Sequence, residues 1–177
     1  MKKILCIFLF IIAANILFAK SNSKNEKQIF TFDSVDLDGN KISSELYSSN
    51  KITMINIWGT FCGPCIREMP ELAELSKEYK AKGLEIIGIP IDLTDNRGQI
   101  IENIKADADY IIKGTGVTYR NIVPTPQMLS GFLRGIMAVP TTIFVDRDGN
   151  QLGELYMGAR SKKDWQKIID KLLESQK

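Results

Sequence analysis

The sequence predicts an α/β fold built on a mixed β-sheet, and three observations carry that expectation. Apolar strand-like runs alternate with stretches of helical spacing along the chain. The pattern closes on a hairpin followed by a helix. The 177 residues suffice for one domain with a proper core and fall short of two comfortable ones.

Each element has its own signal. Residues 29–32 alternate apolar and polar and read as a strand, 36–40 (Asp-Leu-Asp-Gly-Asn) as a turn, and 41–43 as a short strand. A helical turn is expected at 44–47, and 52–58 is apolar enough for a central strand. A helix from 62 to about 82 places Leu72, Leu75 and Tyr79 on one stripe and stops at Gly83. Pro70 lies inside it and deprives the Ile66 carbonyl of a partner, so a kink is expected. Residues 84–91 form the next buried strand. Ile100, Ile101, Ile104, Ala108, Ile111 and Ile112 keep helical spacing up to Gly114–Gly116. A strand at 117–123, a turn at 124–126 and a short helix at 127–133 follow. Strands at 141–145 and 151–157 make a hairpin across 146–150. The last helix is capped by Ser161, with Asp164 as the acid of a capping box, and turns Trp165, Ile168, Ile169, Leu172 and Leu173 inward.

The amino terminus has a different character. Met1-Lys2-Lys3 followed by the apolar run 4–19 reads as a signal peptide or an N-terminal membrane anchor. The run is somewhat shorter than the ~20 residues that span a bilayer. It ends on Leu17-Phe18-Ala19, so cleavage after Ala19 and retention as an anchor both stay open. Cys6 stands too early in this run for a lipoprotein cysteine. Residues 20–27 form a polar linker, and 28–177 the folded domain. Without residues 1–19 the chain has 21 basic and 21 acidic residues, so no nucleic-acid footprint remains. A monomer is expected, with membrane contact only through an uncleaved leader.

Chemistry concentrates at Cys62-Gly63-Pro64-Cys65, between the central strand and the following helix. A thiol pair two residues apart at such a junction suits dithiol–disulfide exchange. The leading thiol meets unpaired N–H groups and the positive helix end, which can lower a cysteine pKa from ~8.5 to roughly 3.5–7.5. Pro64 is tolerated because its missing N–H would have had no helical acceptor. A purely structural disulfide is the weaker reading, since crosslinking so short a loop removes little unfolded-state entropy.

The chain has no histidine, which excludes Ser-His and Cys-His hydrolases and His-bearing metal sites. Two thiolates in the folded part fall short of the four ligands of structural zinc, so neither a metal nor a cofactor is expected.

Trp58-Gly59-Thr60-Phe61-Cys62-Gly63-Pro64-Cys65 closely resembles the thioredoxin active-site signature. Ile66-Arg67-Glu68-Met69-Pro70 narrows the resemblance to exported thioredoxin-like thiol–disulfide oxidoreductases of the TlpA/ResA/CcmG family. Residues 32–43 look like that family's N-terminal β-hairpin, and Val139-Pro140-Thr141-Thr142 like its cis-proline loop. The resemblance covers roughly residues 28–175. It implies a thioredoxin fold: a central mixed β-sheet flanked by helices, with an N-terminal β-hairpin.

Carried over residue by residue, the resemblance makes Cys62 the attacking thiolate and Cys65 the resolving one of a redox-active disulfide. Thioredoxins carry a buried aspartate two residues before the motif tryptophan. Here that position is Asn56, which cannot take a proton, and Glu68 is expected to relay protons for Cys65 instead. Trp58 is expected to be half core and half lid. Gly63, Pro64 and a cis Pro140 shape the site, and Val139 offers a backbone edge to an extended substrate. Phe61 is expected to be exposed, either as a partner contact or as a plain surface aromatic. Gly-Pro between the cysteines is the dipeptide of thioredoxin, whose potential of ~−270 mV is reducing beside the ~−120 mV of DsbA. The resemblance therefore implies reduction of disulfides in exported proteins, apocytochrome c among them, in the periplasm or at the outer face of the cytoplasmic membrane. A membrane electron donor would be needed. Other readings are a peroxiredoxin-like thiol peroxidase, although only one residue separates Thr60 from Cys62, a Cu(I) metallochaperone or assembly factor, and a plain protein-binding module.

Overall fold

A computed structural model describes residues 30–176. The leader, the linker, Cys6 and Ile29 lie outside the described residues. The opening strand starts later than its alternation predicts. β1 (Asp33–Val35) pairs antiparallel with β2 (Lys41–Ser43), while Phe30 and Phe32 leave the strand and bury their rings edge-on against Phe132 and Tyr47. The alternation at 30–32 thus reflects ring burial ahead of β1. The turn between β1 and β2 is built by Asp36, whose carboxylate accepts the N–H groups of Asp38 and Asn40, with Gly39 at φ +83°. The same residue pattern at 146–150 makes the same bonds from Asp148 and Asn150 to Asp146.

A 3-10 helix, Ser44–Ser49, leads into β3 (Ile52–Trp58), every residue of which is buried. α1 (Gly63–Tyr79) contains Pro70 and passes into a 3-10 turn, Lys80–Lys82, closed by Gly83 at φ +99°. β4 is Leu84–Pro90 and α2 is Glu102–Thr115. Ile100 and Ile101 are not part of α2. Ile100 bridges to Thr94, the Ile101 N–H donates to the Leu93 carbonyl, and both side chains are exposed. The strand expected at 117–123 shrinks to β5 (Arg120–Asn121). Beyond it the backbone turns to the hairpin, where Ile122 bridges to Asp36 and the Val123 N–H donates to Val35. The helix expected at 127–133 splits at Gly131 into α3 (Pro126–Ser130), capped by Thr125, and a 3-10 turn, Phe132–Gly135. β6 (Thr141–Val145), β7 (Gln151–Met157) and α4 (Lys162–Glu174) complete the chain, with Ser161 accepting the Asp164 N–H at the α4 cap.

The five-stranded sheet has the order β5-β4-β3-β6-β7, with β5, β4 and β3 parallel and β6 and β7 antiparallel. This mixed sheet flanked by helices, with its separate N-terminal hairpin, is the thioredoxin fold that the resemblance implies. The period of two in β3 divides the core. Ile52, Met54 and Trp58 pack with α1, α2 and α4, whereas Ile55 and Ile57 pack with the hairpin side and α3. Asn56 therefore points to the face that α1 covers.

Candidate active site

Three segments meet at the carboxyl end of β3: the start of α1, the loop before β6 and the turn between β7 and α4. Cys62 is the N-cap of α1 in extended conformation, and its Sγ accepts the Cys65 N–H at 3.2 Å. It is joined to Cys65 as a disulfide, with Cα atoms 5.3 Å apart. Both residues are buried, Cys62 being 5 % and Cys65 1 % exposed. Gly63 and Pro64 lie exposed in the first turn, with the Arg67 guanidinium over Gly63.

The approach to the disulfide is fixed by a residue the sequence reading missed. Asp92 accepts the Thr60 hydroxyl at 2.6 Å and the Thr60 backbone N–H at 3.1 Å. Phe61 is 72 % exposed and lies against Gly59, where an added Cβ would come 2.6 Å from the ring. On the opposite side the Val139–Pro140 peptide bond is cis, and the Val139 carbonyl oxygen lies 3.5 Å from Cys62 Sγ.

Trp58, expected to be half core and half lid, is wholly buried in the core on the α1 side of the sheet. Its indole N–H donates to Asn121 Oδ1 at 2.9 Å, across the site of Gly88. A Cβ on Gly88 would stand 2.0 Å from that oxygen, so the close approach requires glycine. Asn121 was missed as well. Its one sequence signal is the glycine that interrupts the β-branched run of β4.

Glu68 lies on the inner side of α1, three residues beyond Cys65, and is 3 % exposed. Its Oε1 accepts Asn56 Nδ2 and its Oε2 the Arg160 backbone N–H, at 3.2 and 3.1 Å. Burial pushes its pKa above the ordinary carboxylate value, and the Arg160 and Asn56 hydrogen bonds partly offset that rise. The Trp165 indole N–H adds to the offset from nearby without full hydrogen-bond geometry. Asn56 Nδ2 also donates to Thr142 Oγ1 at 3.2 Å, across the β3–β6 register. The arrangement thus sets a thiol pair at the positive end of α1, and on the same helix three residues further on a buried carboxyl with raised proton affinity.

The AhpC/TSA family model matches residues 26–151. The chain is 30 % identical over 146 residues to the thiol-disulfide oxidoreductase ResA of Bacillus thuringiensis subsp. konkukian, covering 82 % of this chain and 77 % of that protein. It is 29 % identical over 166 residues to ResA of Oceanobacillus iheyensis, covering 86 % and 79 %. A crystal structure of a thioredoxin-family thiol:disulfide interchange protein from Chlorobium tepidum superposes with a TM-score of 0.67 at 26 % identity, covering 81 % of this chain and 93 % of that one. A cysteine pair capping a helix beside a cis-proline loop, on a thioredoxin sheet, accords with these likenesses, and the chain belongs to the AhpC/TSA family, among its ResA-type thiol–disulfide oxidoreductases.

Proposed function

We propose that this protein reduces disulfides in exported proteins, apocytochrome c being one candidate, from the periplasm or the outer face of the cytoplasmic membrane. The observation that carries the reading is the position of Cys62, which caps α1 with its sulfur on the Cys65 N–H and beside the Val139 carbonyl. In the reduced protein that N–H and the helix end favour a Cys62 thiolate. The thiolate attacks one sulfur of a substrate disulfide, forming a mixed disulfide and releasing the other substrate sulfur as a thiolate, which takes its proton from water. Cys65 then loses its proton to Glu68 and attacks Cys62 Sγ. This breaks the mixed disulfide and leaves Cys62–Cys65 oxidised and both substrate sulfurs reduced. Two electrons have moved, and a membrane donor restores the dithiol. An extended substrate segment lies along Val139, between exposed Phe61 and Met137.

A peroxidase reading finds less support. Only one residue separates Thr60 from Cys62, and the Thr60 hydroxyl is engaged by Asp92 at 2.6 Å. The test is insulin reduction by the dithiol form, together with trapping of exported substrates by Cys65→Ser. Turnover lost in Cys62→Ser and stable mixed disulfides in Cys65→Ser are expected. Hydroperoxide turnover without disulfide reduction would overturn the reading.

A further inference from the structure

The turn joining β7 to α4 is held from four directions, and Arg160 takes part in most of them. Its backbone N–H donates to Glu68 Oε2 at 3.1 Å. Its guanidinium folds back on its own turn, where Nη1 donates to the carbonyls of Met157 at 3.1 Å and Gly158 at 2.9 Å. The guanidinium carbon lies 5.2 Å from the ring centres of both Tyr156 and Trp165. The Gly158 N–H, in turn, donates to the Pro140 carbonyl at 2.8 Å. The turn thereby ties the buried carboxylate, through Arg160, to the loop that faces Cys62, through Gly158.

We propose that Arg160 is a positioning residue for Glu68: its clamped side chain rigidifies the Met157–Arg160 turn, so that the Arg160 N–H stays aimed at the carboxylate and the turn stays docked on Pro140. The proposal rests on the reading of Glu68 as the proton carrier for Cys65. A flexible turn would lose an aimed N–H to thermal motion, and a buried carboxylate gains most from donors held in place. The guanidinium charge works in the same direction as the N–H and favours the ionised carboxylate. Among the described residues, the other titratable groups near Glu68 are few. The Tyr119 phenol, ahead of β5, is buried and neutral, and Cys62 and Cys65 lie on its own helix. Lys162 is turned away to Glu74 and Glu78, while its backbone N–H donates to Glu71.

The experiment is the pH profile of iodoacetamide alkylation of the reduced full chain, for wild type, Glu68→Gln, Arg160→Met, Arg160→Lys and the Glu68→Gln/Arg160→Met double variant. Glu68→Gln removes the carboxylate-dependent inflection. Arg160→Met moves that inflection to higher pH. Arg160→Lys keeps a charge but offers the two carbonyls a single ammonium, and it moves the inflection the same way by less. In the Glu68→Gln background Arg160→Met leaves the profile unchanged. If Arg160→Met fails to fold, Arg160→Lys carries the comparison. An inflection that stays at the wild-type pH in both Arg160 variants overturns the positioning role, as does an equally large change of the profile when Arg160→Met is made in the Glu68→Gln background. A Glu68→Gln profile that matches wild type overturns the proton-carrier reading itself, and the proposal with it.

Discussion

Glu68 and Glu74 belong to the same helix and respond to opposite forces. Glu68 faces the sheet, and burial raises its proton affinity despite two hydrogen bonds. Glu74 faces solvent, and Lys162, bonded to it at 2.6 Å, lowers its pKa. Helix propensity treats the two alike, so their chemistry comes from what other elements bring to them. To Glu68 come β3 and the turn before α4, and to Glu74 the first residue of α4.

The largest expected effect separates the two glutamates by rate. Glu68→Gln should slow disulfide exchange by roughly 10²-fold, the scale of a lost proton-transfer group, while Glu74→Gln should leave it unchanged. Stopped-flow exchange with a small disulfide reads both. Equal rates in the two variants would erase the distinction.

A smaller effect tests the packing that orients the inner face. Gly88→Ala drives a methyl into Asn121 Oδ1 and displaces it from the Trp58 indole. A cost of about 1–3 kcal/mol is expected for the overpacking and the orphaned N–H. Urea denaturation measures it, and a neutral outcome would show that the sheet yields easily at this point.

Stability against pH sharpens the contrast further. The pKa of Glu68 in the folded protein lies above its ordinary value of 4.5, so between the two the folded state keeps a proton that the unfolded chain releases. The stabilisation is fully present below the unfolded value and is lost as pH rises through the folded one. Relative to Glu68→Gln, wild type should therefore lose melting temperature across that interval, whereas Glu74→Gln should not reproduce the difference. The smallest effect is expected for Lys162→Met, a slight, salt-sensitive change in melting temperature with no change in exchange rate.

How much of this was legible in the sequence follows the same division. The thiol pair, its helix start and the glycine stop at Gly83 depend on neighbouring residues, and spacing alone located them. The twin turns at 36–40 and 146–150 were equally local. Elements that depend on distant partners were less legible. The strand read at 117–123 contracted because the hairpin takes its flanking backbone, and α2 began late because Ile100 bridges to Thr94. Asp92, Asn121 and Arg160 each reach the site across long sequence separations, through bonds to Thr60, Trp58 and Glu68. The family resemblance pointed to Glu68 as an acid, but the residues that tune it became visible only with the β3 register and the turn before α4.

The coupling of Glu68 to the thiol pair is tested most directly by carbon-13 NMR titration of the Glu68 carboxyl in the oxidised and the reduced protein. Its midpoint should lie above the ordinary carboxylate range in the disulfide form. On reduction it should move higher still, because a neighbouring thiolate disfavours a second negative charge. An ordinary midpoint, identical in both redox states, would contradict the account and return Glu68 to the company of Glu74.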